Sequence, residues 1–177
     1  MPRPDRAGLA VLLIAGLSGT ALGSPRNLSF GPLASELAFR AYGMGLWPID
    51  AHFSRFEGAL RYDADNRQSC DVELRAQVAS LIADDTDLRD TIAGPEFLDA
   101  ASFPTLAYTG RCQAPDRLDG TLTMHGVTRP FTLSLTWKHG MVEAEGRLER
   151  ADWGMTARPL LGGRTIRIRV VVPLPGN

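Results

Sequence analysis

Between Gly120 and Trp137 the chain reads GTLTMHGVTRPFTLSLTW. From Phe131 onward, Phe131, Leu133, Leu135 and Trp137 alternate with Thr132, Ser134 and Thr136. A period of two marks a strand with one buried and one wet face, and a helix cannot satisfy it. His125-Gly126 predicts the turn between two such strands, because glycine reaches a positive φ at little steric cost. Pro130 cannot donate a ladder hydrogen bond, which predicts a bulge or an edge near the start of the second strand. Nothing in the stretch has a catalytic pattern. It demands a sheet built of one-sided hairpins.

The same alternation recurs along the chain. Glu36–Tyr42 carries Leu37 and Phe39 on one face, and Phe53–Tyr62 carries Phe56, Leu60 and Tyr62. Cys70–Leu81 alternates Asp71, Glu73, Arg75 and Gln77 with apolar partners. Further strands are predicted at Thr105–Cys112, from Val142 to Leu148 and on towards Trp153, and at Ile166–Val172 after Gly162-Gly163. Asp63-Ala64-Asp65-Asn66 predicts a polar turn, and Lys138-His139-Gly140 another. Asp84, Asp85 or Thr86 caps a short helix that runs to about Ala93 and ends at Gly94-Pro95. Residues 24–35 read as an irregular lead-in. The expectation is an all-β chain of about eight antiparallel strands and one helix, which closes into a barrel and so removes its exposed edges.

At 177 residues the chain is most simply one domain with a sizeable core. The first residues stand apart: Arg3 and Arg6, an apolar run from Leu9 to Leu22, then Ala21-Leu22-Gly23 with small residues at −3 and −1 before Ser24. That is the pattern of an export signal over residues 1–23, with 24–177 as the mature domain in the periplasm or outside the cell. The formal net charge of −1, with Lys and Arg spread along the chain, suggests neither a nucleic-acid site nor a polybasic membrane patch. Two cysteines, Cys70 and Cys112, are present, and in an exported chain such a pair reads as a disulfide. Their phase agrees: if residue 78 lies near 106 on paired strands, residue 70 falls near 112 on the same face.

One-sided strands enclose something, and alternation does not say whether the interior is filled or hollow. The inward candidates are Phe39, Phe56, Leu60, Leu74, Val78, Tyr108, Leu122, Met124, Phe131, Leu133, Leu135 and Ile168. A barrel of eight strands has room for side chains or for one elongated ligand. No G-x-S-x-G elbow, H-E-x-x-H pair, phosphate-binding glycine loop or C-x-x-C-H site is present. His52, His125 and His139 are scattered and read as turn or surface residues, so no catalytic or metal-binding residue is assigned.

Several segments carry a family likeness. GTLTMHGVTRPFTLSL resembles the G-x-L-T-[IM]-x-G-V-T-[KR]-P hairpin of the YceI family of periplasmic lipid-binding proteins. Phe53–Tyr62 with Asp63 is similar to its F-x-x-F-x-G-x-[ILV]-x-[YF]-D strand. Arg89-Asp90, Gly94–Asp99 and Phe103-Pro104-Thr105 resemble its helix and F-P-T loop, and Glu149–Gly154 its N-R-x-D-[WF]-G corner. The resemblance implies a lipocalin-like eight-stranded barrel whose lumen holds an isoprenoid chain of the ubiquinone or polyprenyl type, without catalysis or a required cofactor. It also implies a membrane redox protein as a possible partner, and a homodimer is a further expectation. The alternatives are a filled barrel used for protein interaction and an enzyme acting on an isoprenoid lipid. The short segment between Trp137 and Glu149 and the Ala41-Tyr42-Gly43 sequence depart from the family pattern.

Overall fold

The computed structural model describes residues 25–43, 46–138, 140–157 and 163–175. The export signal expected at 1–23, and His139 and Gly162 of the two expected turns, lie outside the described residues. In chain order the elements are β1 (Arg26–Phe30), β2 (Glu36–Gly43), β3 (Trp47–Phe53), β4 (Phe56–Tyr62), β5 (Cys70–Gln77) and β6 (Leu81–Ala83). After them come α1 (Thr86–Ala93), β7 (Thr105–Ala114), β8 (Arg117–Met124), β9 (Val127–Lys138), β10 (Met141–Glu149) and β11 (Thr165–Pro173). The strands make one curled antiparallel sheet in the order β1-β4-β5-β7-β8-β9-β10-β11-β2-β3-β6.

Eleven strands replace the eight expected, for three physical reasons. The presumed lead-in contains β1, which pairs with β4 from Arg26↔Tyr62 to Phe30↔Gly58. Trp47–Phe53 forms a strand of its own, β3, paired to β2. The long strand expected at 70–81 breaks: Val78–Ser80 is a 3-10 turn, and pairing resumes in β6. Ser80 builds that break. Its buried hydroxyl lies 2.7 Å from the Gln77 carbonyl oxygen and accepts from the Arg55 amide at 3.0 Å. The Ser54 hydroxyl answers by donating to the Ser80 carbonyl at 2.9 Å. Because β3 runs into β4 and β5 into β6 across this bend, the β4–β5 pair beside β1 and the β3–β6 pair at the far end of the strand order are halves of one bent hairpin. The wall is completed there.

The β8–β9 hairpin turns where expected. His125 and Gly126 both take positive φ, 50° and 70°, the geometry of a two-residue turn that matches strand twist. Pro130 sits opposite Thr121 in a part of β9 that β10, paired only to Ser134–Lys138, does not reach. Its missing donor therefore costs no bond on that side. Asp63 Oδ1 accepts from the amides of Asp65 and Asn66, closing the polar turn. Asp85 caps α1 by accepting from the Leu88 amide at 2.9 Å.

Inward-facing residues form one apolar cluster from Leu37 to Val172, while Arg, Glu and Thr occupy the outward positions of β8–β11. A barrel crossing a lipid bilayer carries the opposite pattern, apolar outside and polar within. Among the described residues, no helix is long and apolar enough to cross a membrane.

Candidate functional site: an apolar lumen

The curled sheet leaves a cavity of about 100 Å³ along its axis. Its lining is almost wholly carbon.

Ten of the twelve inward candidates line it: Phe39, Leu60, Leu74, Tyr108, Leu122, Met124, Phe131, Leu133, Leu135 and Ile168. Phe56 and Val78 do not. Both are buried, but Phe56 starts the strand just past the bend and Val78 belongs to the 3-10 turn, where strand periodicity no longer governs direction. The sequence reading missed further lining residues in the same phase, among them Leu118, Val142, Ala144, Ile166, Val170 and Val172. It also missed Phe30 on β1 and a set outside any strand: Ile92, Phe97, Leu98 and Met155. These last cover one end of the lumen from α1 and the loops, where no period of two could reveal them.

The other end carries aromatic packing and a cross-link. Cys70 and Cys112 form a disulfide with a Cα–Cα distance of 5.0 Å. The register sets Asp71 opposite Arg111 and Ala76 opposite Leu106. Ala76 therefore takes the place expected of residue 78, and the two cysteines face each other. Beside them Tyr62 and Trp137 pack at 6.1 Å between ring centroids, and Trp137 Nε1 donates to the Pro115 carbonyl at 2.7 Å. Arg67 lies over the Trp137 ring at 5.6 Å.

Polar groups near the lumen are spoken for. Tyr108 stands edge-on to Phe131 at 6.3 Å, and Phe131 edge-on to Trp153 at 6.0 Å. The Tyr108 hydroxyl donates to the Phe131 carbonyl at 3.2 Å, with the Leu118 carbonyl at 3.4 Å. Burial, and secondarily the Asp119 charge, push that phenol far above its ordinary value, so it stays neutral. The ring is accommodated by Gly110 and Gly120, which face each other across β7 and β8. A Cβ on Gly120 would lie 2.7 Å from the phenol oxygen. At the covered end, buried Arg150 donates to the carbonyls of Gly163, Met155 and Ala157 at 2.6 Å each and lies over Phe97 at 5.3 Å. Burial lowers its pKa from the ordinary value. His125 is tied down as well: Nδ1 lies 3.0 Å from the Trp153 carbonyl and its ring packs on Phe103 at 5.0 Å. No group of three or more His, Cys, Asp or Glu able to hold a metal occurs among the described residues. What this lumen does well is dissolve hydrocarbon, since each buried methylene contributes about 0.8 kcal/mol.

Comparison with known proteins supports the same architecture. Residues 29–174 match the family model of the YceI-like domain. Protein YceI of Salmonella arizonae and of Salmonella enteritidis are each 26% identical over 152 residues, covering 78% of this chain and 78% of theirs. Among solved structures, Burkholderia cenocepacia BcnA superposes with a TM-score of 0.63 at 15% identity, covering 78% of this chain and 96% of that one. A polyisoprenoid-binding domain from Saccharophagus degradans gives 0.58 at 13% identity, with coverages of 84% and 98%. The Campylobacter jejuni YCEI protein gives 0.59 at 13%, with 72% and 84%. The family model covers most of the chain and the fold agrees with it: the chain belongs to the YceI-like family.

Proposed function

We propose that this chain is a non-enzymatic carrier that holds an elongated isoprenoid lipid, of the ubiquinone or polyprenyl type, in the barrel lumen. The observation that carries the reading is the cavity itself, which runs inside the curled sheet behind an almost wholly apolar wall. An isoprenoid tail is branched and narrow, and the lining combines flat rings (Phe39, Phe131) with branched aliphatics (Leu122, Leu133, Ile168) able to pack around methyl branches. The lumen needs no charged group for such a ligand, because a head group is tolerated at the mouth rather than recognised within. Binding requires no resident cofactor and no catalytic residue, and the polyisoprenoid-binding neighbour from Saccharophagus degradans supports the same ligand class. The chain acts outside the cytoplasm once residues 1–23 are removed, where a water-soluble shell is needed to move an apolar lipid. Mass spectrometry of an organic extract from natively purified protein tests the proposal. An isoprenoid lipid in near-stoichiometric amount is the expected result. An extract free of lipid, together with no uptake of added ubiquinone, overturns it.

A further inference from the structure

A cavity of about 100 Å³ falls short of the ~300–1,000 Å³ common for pockets of drug-sized ligands. An elongated lipid therefore enters only where the wall gives way. Packed interiors yield little, so the wall opens at the element that is held least. In a curled antiparallel sheet that element is a strand paired on one side only.

β1 is such a strand. It pairs with β4 alone, along its five residues from Arg26↔Tyr62 to Phe30↔Gly58. The ladder between β2 and β11 stops at Val171↔Glu36, so among the described residues no strand flanks β1 on its other side. Yet β1 is part of the lumen wall. Phe30 lines the cavity, and Leu28 packs against the same apolar cluster. The register continues the Phe30 level across the sheet through Gly58 to Leu74, Tyr108 and Leu122, all three of which line the cavity. β6 is also paired on one side, but none of its residues lines the cavity and α1 packs beside it.

Phe30 is seated on a glycine. Its ring lies over Gly58, where a Cβ would fall 2.1 Å from the Phe30 Cζ. Any side chain at position 58 would evict the ring. Downstream, β1 joins β2 through a turn in which the Ala34 and Ser35 amides both donate to the Gly31 carbonyl, at 3.3 and 2.9 Å. The Ser35 hydroxyl oxygen is buried there without a partner. The rim beside β1 is fixed by contrast: Cys70 of β5, opposite Tyr62, is bonded to Cys112 of β7.

We propose that β1 is the gate of the lumen. Arg26–Phe30 lifts from β4 about the Gly31 turn, Phe30 leaves the cavity wall, and an elongated apolar lipid passes sideways into the barrel. The gate rests on the lipid-carrier reading above. Elements that move for ligand entry come from the least stable parts of a fold. A short edge strand, whose release breaks a single ladder, is such a part.

Ser29 and Ala59 face each other on the exposed side of β1 and β4, away from the lumen. Their thiols in the Ser29→Cys, Ala59→Cys double variant are bridged by a short bismaleimide. Both native cysteines are in the disulfide and do not react. The comparison is the same variant with each thiol capped by N-ethylmaleimide. Ubiquinone uptake from detergent solution is followed by quenching of intrinsic fluorescence. Bridging is expected to slow uptake by roughly tenfold or more, and to slow release equally from protein loaded beforehand, because a gate acts in both directions. Phe30→Ala and Gly58→Ala, which remove or evict the ring, speed uptake and release together. Amide hydrogen exchange of the ligand-free parent is the second measurement. The β1 amides bonded to β4 are expected to exchange roughly tenfold or more faster than bonded amides of β5 and β8. Equal uptake rates in the bridged and capped proteins overturn the gate and leave the carrier reading standing. Protection of β1 equal to that of β5 overturns it as well. A parent that takes up no ubiquinone overturns the carrier reading, and the gate with it.

Discussion

Ala144→Phe is the sharpest perturbation of the lumen. Ala144 lies on β10 between Leu135 of β9 and Val170 of β11, and its methyl group faces the cavity. A phenyl ring there projects into a cavity of about 100 Å³, so it takes space that a ligand would use. If it denies the ligand about four methylenes, at ~0.8 kcal/mol each, the loss is about 3 kcal/mol, or roughly 200-fold in Kd. The assay is quenching of intrinsic fluorescence by titrated ubiquinone, with thermal unfolding to show that the barrel is intact. Ala59→Phe is the control: Ala59 is exposed on the outer face of β4, so the same ring added there leaves affinity unchanged. A folded Ala144→Phe protein that binds within threefold of the parent would refute the assignment of the lumen as the binding site. So would an equal loss in both variants.

Three other outcomes follow from the same structure. Replacing Cys70 and Cys112 together by alanine removes a cross-link of sequence separation 42, worth about 4 kcal/mol in the chain-entropy treatment; denaturant unfolding checks this, and a loss under 1 kcal/mol contradicts it. Because burial holds the Tyr108 phenol neutral in the folded barrel, its contribution is complete below the ordinary value of 10.0 and declines as pH rises above it, where only the unfolded chain ionises. Tyr108→Phe is therefore expected to flatten the fall of unfolding midpoint above pH 10, at a cost of about 1 kcal/mol at neutral pH for the lost hydrogen bond; an unchanged slope counts against the idea. Gly120→Ala places a Cβ 2.2 Å from the Thr109 carbonyl oxygen and 2.7 Å from the Gly110 Cα, both backbone. It should destabilise by at least about 2 kcal/mol, and a calorimetric midpoint equal to the parent's would show that the two strands can separate there freely.

Legibility in the sequence tracked how local the cause was. β5 and the β8–β9 hairpin were readable because alternation and turn chemistry sit within a few residues of one another. β1 was not, since Leu28 and Phe30 offer too short an apolar pattern and the strand exists through its pairing with β4. β3 hid for another reason: Trp47 and Pro48 at its start are exposed and break the period. Val78 kept perfect phase with Leu74 and Ala76 yet left the strand, because the bend is made by Ser80 bonding to the distant Arg55. The lumen shows the same division. Its strand-borne walls followed from parity, while Ile92, Phe97 and Met155 reached it from segments with no period. The outward alignment of Arg147, Arg167 and Arg40 across three strands was invisible for the strongest reason, because only the complete register brings Arg167 between the other two.

The barrel axis is where the lipid is expected to lie. An experimental structure of the natively purified protein, at a resolution that shows bound lipid, tests it most directly. Continuous density along the axis, in contact with Phe39, Leu122, Phe131 and Ile168, is the predicted result. Density for lipid only on the outer wall, or an axis filled by repacked side chains, would contradict it.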